Sequence, residues 1–266
     1  MENIIWVFSL CLGLGAFVGF MAGLLGIGGG LIIVPALLYL LPKAGITVAQ
    51  LPHIAIATSL AAIILTSFSS TRAHHKRQNI DWHILLRMLP GILCGALLSG
   101  FVAELIPATR LQQAFAVFVM LMAVQMTFPF RPDAGRALPG NIVLFAITLL
   151  IAMIAGLMGI GGGVLLVPFL SWCGMQMRFA VGVSSAVGLF IALSGSLGYI
   201  VAGWAVPGLP VGTLGYVYLP ALAGIVMTSV WAAPWGVKAA STWPTPVLKK
   251  IFALLLLVIG LKLMLG

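Results

Sequence analysis

The sequence predicts an all-α polytopic membrane protein built from two homologous, inverted halves, and three observations lead there. Hydrophobic residues make up 62% of the 266 and charged residues 6%, with a mean hydropathy of +1.22, whereas about a quarter of a soluble domain is charged. Short polar connections divide the apolar sequence into ten stretches. A fifteen-residue segment, Gly23 to Leu37, returns 133 positions later as Gly156 to Leu170 with ten identities. No long polar stretch is present to form an appended soluble domain.

The apolar stretches fall at about 4–22, 29–41, 53–71, 83–103, 111–128, 141–159, 162–173, 180–203, 213–235 and 247–265, against the roughly 20 residues a full crossing needs. The first has Glu2 as its only charged residue and no small-residue cleavage site, so it reads as a retained span rather than a signal peptide. The second and seventh follow the glycines directly and are half a span long at 1.5 Å per residue. The third opens at His53 beside Pro52 and ends in a basic run. The stretch Arg131 to Pro139, with two prolines and a glycine, reads as a linker. This divides the chain into a first repeat (1–130), a cytoplasmic linker (131–139) and a second repeat (140–266). Outside the glycine segment the halves still correspond: Ala57-Thr58-Ser59 with Val183-Ser184-Ser185, Leu89-Pro90 with Leu219-Pro220, and Leu111 to Phe115 with Leu248 to Phe252.

The loop charges discriminate between two architectures of eight to ten membrane segments. If each glycine segment is one bent crossing, the chain has eight spans in parallel halves, and Lys238, Lys249 and Lys250 face away from Arg72, Lys76 and Arg77. If each glycine segment turns the chain back, the halves are inverted, five segments plus five. Arg72, Lys76, Arg77, Arg131, Arg136, Arg178, Lys238, Lys249 and Lys250 then share one face, with Lys43, Arg110 and Lys262 on the other. The positive-inside tendency favours the second arrangement, with both termini outside the cytoplasm. The net charge of +9 is thereby explained by topology, and no basic face interleaved with aromatics points to nucleic acid.

Five glycines and a proline are poor choices for a continuous helix. A half-helix starting after Gly28, Gly29 and Gly30, and another after Gly161, Gly162 and Gly163, would each offer unpaired backbone N–H groups at its start. Two such ends facing one another make a site of partial positive charge for a small anion. Pro35 and Pro168 read as tolerated near each helix start. The competing reading is close helix packing, for which the spacing Gly15, Gly19, Gly23 is also suited. A dinucleotide fingerprint is excluded because no soluble βαβ unit surrounds the glycines.

The paired segments Gly-x-x-Gly-Ile-Gly-Gly-Gly, each followed by Val-Pro, resemble the sulfite exporter TauE/SafE family, also called the 4-toluene sulfonate uptake permease family. The resemblance covers essentially the whole chain. It implies a carrier of sulfur-containing anions such as sulfite, sulfonates and thiosulfate in the bacterial cytoplasmic membrane, with neither substrate nor direction chosen by the motif. Inverted halves with interrupted helices are a recurring plan for secondary transporters working by alternating access.

Thr58 and Ser59, matched by Ser184 and Ser185, are the candidate hydroxyl ligands, with helix capping or interhelical bonding as the alternative. Ser67, Ser69, Ser70, Ser194 and Ser196 read as interhelical hydrogen bonders. His53 is a candidate for lining an external vestibule, or a structural histidine. His74, His75, Lys76 and Arg77 form a basic cluster on the cytoplasmic face. The carboxylates Glu2, Asp81, Glu104 and Asp133 all lie near ends or loops, so no buried carboxylate relay for proton coupling is evident; a sodium site would have to use carbonyls and hydroxyls, and the alternatives are protonation of the substrate itself or no coupling. Cys11, Cys94 and Cys173 read as packing residues. Trp6, Trp82, Trp204 and Trp243 read as interfacial anchors. No cofactor or metal is expected, and no carboxylate pair or activated nucleophile suggests an enzyme. An anion channel of the same fold and a non-transporting membrane module are the rival functions, and oligomeric state is left open.

Overall fold

The computed structural model describes residues 2–25, 29–127, 138–242 and 245–265. Most of the expected linker and Gly28 lie outside the described residues. Among the described residues the chain forms ten helices: α1 (Glu2–Leu25), α2 (Gly30–Lys43), α3 (Leu51–Lys76), α4 (Trp82–Glu104), α5 (Ala108–Thr127), α6 (Asn141–Leu157), α7 (Gly163–Trp172), α8 (Met177–Ala202), α9 (Leu219–Thr242) and α10 (Thr245–Leu265). Ten apolar stretches thus become ten helices. Among the described residues α3, α4 and α8 are each long and apolar enough to cross a membrane.

The boundaries move for identifiable reasons. Helix α3 runs past the apolar stretch through His74, His75 and Lys76, because cations in the last turn suit the negative end of a helix. Helix α6 stops at Leu157 since Gly159 turns the backbone to φ +65. Helix α4 starts cleanly, with the Asp81 carboxylate accepting from the Ile84 N–H at 3.1 Å, a cap that satisfies one orphan donor of the first turn. The ninth apolar stretch does not begin as a helix. Residues Thr213–Leu214 (β1) and Val217–Tyr218 (β2) pair as a small antiparallel hairpin, and α9 follows. Gly215, at φ +55, opens its two-residue turn, as such hairpins require.

Small residues set the helix pairings. Helix α4 lies between α6 and α8, parallel to both. Arg87 donates to Asn141 Oδ1 at 3.0 and 2.8 Å where α4 and α6 start. Further along, a Cβ at Gly95 would overlap the Leu149 carbonyl, and Gly156 abuts Ser99. On the other flank Ser194 donates to the Leu93 carbonyl at 2.8 Å, and Gly198 abuts Leu97. Helices α3 and α8 are antiparallel, since Ser70 and Thr71 bond Ser185 near one end while Leu60 meets Gly195 farther along. Helix α1 runs parallel to α9, with Gly15 and Gly19 against Ile225 and Ser229 and with Thr228 donating to the Leu12 carbonyl at 2.7 Å. Helices α5 and α10 are antiparallel, through Gln112 to the Leu263 carbonyl at 3.3 Å and Gly260 against Met120. Glycine at a crossing lets two backbones touch, which is how helices associate where lipid supplies no hydrophobic drive.

Trp6 of α1 and Lys43 of α2 line one cavity. Lys43 and Lys262 both lie over the Tyr39 ring, at 4.1 and 4.2 Å from its centre. The start of α1 and the ends of α2 and α10 therefore share one end of the bundle, with the ends of α4 and α8. Arg72, Lys76, Arg77, Arg87 and Arg178 sit toward the other.

Candidate functional site

The second glycine segment lies in the middle of the bundle, held on three sides. Its residues Met158 to Gly162 link α6 to α7, and Gly159 and Gly162 take positive φ of 65 and 70. Helix α3 supplies one wall from residues spaced four apart, the spacing that lines up one helix face. Ser59 Oγ donates to the Gly159 carbonyl at 2.8 Å, Ile63 lies against Gly161, and Ser67 Oγ faces both Gly161 and Gly188. Helix α8 supplies the opposite wall, with Gly188 against the Gly161 carbonyl and Ile191 against Gly162. The third side is the start of α2: a Cβ on Gly30 would fall 2.5 Å from the Gly159 carbonyl and 3.0 Å from the Ile160 Cα. Ile63 touches Gly30 as well as Gly161, so the starts of α2 and α7 converge on one face of α3.

Both short helices open in the same way. Gly29 and Gly162 are their N-caps, each left-handed (φ 79 and 70) and each without a side-chain cap. The first intrahelical bonds run to their carbonyls, from Ile32 and Ile33 in α2 and from Leu165 and Leu166 in α7. The N–H groups of Gly30, Leu31, Gly163 and Val164 precede those bonds and point out of the helix starts. Gly29 and Gly30 are buried, whereas Gly161 and Gly163 are partly exposed. A Cβ at Gly163 would meet no described atom within 4 Å. Pro35 and Pro168 lie deeper than the sequence suggests. Each is the sixth residue of its helix, so the ring removes the donor to the carbonyl four residues back, at Leu31 and Val164. The proline position does not open the helix; it deprives one carbonyl of the first turn of its usual intrahelical donor.

The hydroxyls divide. Thr58 and Ser59 are the eighth and ninth residues of α3, and Ser184 and Ser185 hold the same places in α8. Thr58 Oγ1 accepts from the Tyr218 N–H of the hairpin at 3.0 Å, and Ser59 is committed to Gly159. Ser185 Oγ donates to the Val181 carbonyl at 2.9 Å and accepts from Ser70 at 3.2 Å. Ser184 differs: the residue is 2% exposed and its hydroxyl has no partner among the described residues. A buried unpaired hydroxyl is costly, which makes it the free donor of the four.

A family model described as sulfite exporter TauE/SafE matches residues 11–263. The chain belongs to the TauE/SafE family. A probable membrane transporter protein of Haemophilus influenzae is 38% identical over 259 residues, covering 96% of this chain and 97% of the relative. A probable membrane transporter protein of Xylella fastidiosa is 34% identical over 187 residues, covering 67% and 69%. YunE of Bacillus subtilis, also a probable membrane transporter protein, is 28% identical over 219 residues, covering 74% and 79%. No solved structure matches. This TauE/SafE protein is a multi-pass transporter of the bacterial cytoplasmic membrane that moves small anions, and it is not an enzyme.

For a TauE/SafE transporter the central region is notable for its lack of formal charge. The described Lys, Arg, Asp and Glu residues lie at helix ends or close to them, so polarity near the glycines comes from backbone and hydroxyl groups. Ser67, expected from sequence to bond between helices, faces Gly188 of α8 and also stands beside the glycine segment. Its place eight residues after Ser59, on the same helical face, is the signal that marks it.

Proposed function

We propose that this TauE/SafE transporter carries sulfur oxyanions or organosulfonates of the sulfite, thiosulfate or sulfoacetate type, by alternating access of two inverted halves. The observation that carries the reading is that the start of α2 and the segment opening α7 meet at Ile63 of α3, both helix starts uncapped and, among the described residues, without a formal charge beside them. In this reading Gly28, Gly29 and Gly30 meet Gly161, Gly162 and Gly163 around the anion, and Ser184 supplies the free hydroxyl. Thr58, Ser59 and Ser185 hold the surrounding helices. Helix-start dipoles suit an anion that must also leave again, since a buried Lys or Arg would hold it more tightly than transport permits.

The helix pairings agree with inverted repeats of residues 1–130 and 140–266. Exchanging the halves carries the α1–α9 pair onto α6–α4, and carries α3–α8 and α5–α10 onto themselves. Both termini then lie outside the cytoplasm. Reporter fusions at the two ends are expected to read as non-cytoplasmic, and two cytoplasmic termini would refute the inverted arrangement.

Purified protein in liposomes tests the substrate class. With sulfite, thiosulfate, sulfoacetate, sulfate and chloride offered in turn, saturable flux of a sulfur anion, accelerated by the same anion on the far side, is the expected result. Flux of chloride alone, or linear flux without acceleration from the far side, would replace the carrier with a channel of the same fold.

A further inference from the structure

A protein group that couples transport to protons must bind the proton differently in two states, and the described carboxylates do not provide a buried one. Asp81 is occupied as the cap of α4, and Glu104 is exposed at its far end. His53, the third residue of α3, is 4% exposed. Its Nε2 lies 2.9 Å from the Ala103 carbonyl of α4, which accepts only if that nitrogen carries the proton. The neutral ring then leaves Nδ1 as a bare acceptor, and Nδ1 is buried without a partner among the described residues. One face of the ring stacks on Tyr216, centre to centre 5.2 Å. A buried polar atom left without a hydrogen-bond partner is unusual enough to call for an explanation.

Tyr216 sits in the turn of the β1–β2 hairpin, and the hairpin touches α3 twice, through His53 and through Tyr218 on Thr58. Tyr216 also meets Tyr199 of α8, and Gly215 rests on the Ile200 backbone. The hairpin thereby bridges α3 and α8, the two walls of the glycine segment. Ser59, six residues beyond His53, lies about 9 Å along the helix at 1.5 Å per residue. Toward this end of the packed elements the other titratable or charged groups are Glu104 on α4, Arg110 in the first turn of α5, Tyr199 on α8, and Tyr216 and Tyr218 of the hairpin; His83, Arg87 and Cys94 of α4 and Arg178 of α8 lie farther along their helices. Glu104 and Arg110 are exposed. Burial, with the Glu104 carboxylate adding to it, pushes the Tyr216 phenol upward, so it stays neutral.

We infer that His53 is the proton-binding site that couples this transporter to pH, by holding the hairpin closed when neutral and releasing it when protonated. This rests on the alternating-access reading above. A proton taken from water by Nδ1 creates a buried N–H without an acceptor beside a closed hairpin, a penalty that the closed state alone bears. The proton therefore favours the state in which the hairpin has moved and Nδ1 reaches water, which is the differential affinity a coupled transition requires.

The test uses no substrate, so it can fail independently of the anion reading. Nitroxide labels at Leu214→Cys on the hairpin and Leu105→Cys after α4, with Cys11, Cys94 and Cys173 replaced, report their separation in nanodiscs at pH 8 and pH 5. Expected is a single short distance at pH 8 and a majority longer distance at pH 5. His53→Gln, whose amide N–H still reaches the Ala103 carbonyl, should hold the short distance at both. Should it not fold, His53→Asn takes its place. Glu104→Gln should shift as the parent does. A parent distribution unaffected by pH overturns the inference, as does a shift that survives in the His53 variant or disappears in Glu104→Gln.

Discussion

Gly162→Val is expected to abolish anion flux in liposomes while the protein still inserts and purifies. The N-cap of α7 is left-handed at φ 70, where an L side chain costs roughly 1–2 kcal/mol and a β-branched one more. A Cβ there would also overlap Ile191 Cδ1 on α8. The backbone has to rotate or shift, and either movement turns the Gly163 and Val164 N–H groups away from their present direction. A penalty of that size corresponds to about a fivefold to thirtyfold change in the population of the native start of α7, so flux below about a fifth of the parent is the threshold. Gly29→Val, with φ 79 at the N-cap of α2, should behave alike. Gly162→Ala, which shares the strain and reaches the same Ile191 atom, should be impaired to a lesser degree. Parent-level flux in both valine variants would remove the two glycine segments from the anion site.

Gly95→Leu should lose stability rather than function alone. Its Cβ would overlap the Leu149 carbonyl and lie 3.0 Å from the Leu149 Cα, and backbone has no rotamer with which to yield. The α4–α6 pair would have to separate, while Gly100 and Gly198 hold α4 against α8 on the opposite flank. Overpacking of this kind costs about 1–3 kcal/mol, and two stacked backbone interfaces place Gly95 at the upper end. The expected result is a lower melting temperature in detergent and poor recovery of monodisperse protein. Gly13→Leu on α1 is the control, since Gly13 is exposed and its Cβ would meet no described atom within 4 Å. Equal melting temperatures for the two variants would refute the packing role of Gly95.

These two glycines show how far the sequence could be read. At Gly162, the run of three glycines followed by a short apolar piece was enough to expect a helix start, because backbone freedom and half-span length are local properties. Gly95 stands four residues after Gly91, a spacing that suits close helix packing. The residue it meets, Leu149, is on another helix, and no local pattern names that partner. The hydroxyls behave likewise. Ser59 and Ser184 occupy near-equivalent places in the two halves, yet Ser59 is bonded to Gly159 and Ser184 to nothing. The hairpin at 213–218 lies inside the apolar stretch 213–235, which hydropathy alone does not divide. What reverses the chain there is the two-residue turn that Gly215 opens at φ +55, while its contact with Ile200 of α8 fixes where the hairpin sits.

The sequence by itself determined the membrane character, the ten helices, the duplicated glycine segment and the family, because hydropathy, helix length and a fifteen-residue motif are written along the chain. Only the tertiary structure decided that the α2 and α7 starts converge on Ile63 of α3, that Ser67 faces the glycines, and that His53 is buried under Tyr216 with one nitrogen unpaired. The physical reason is that in an apolar bundle the polar groups are few. What each one does depends on whether the neighbouring helix brings a donor, an acceptor or nothing, and residues some fifty to two hundred positions apart supply that answer.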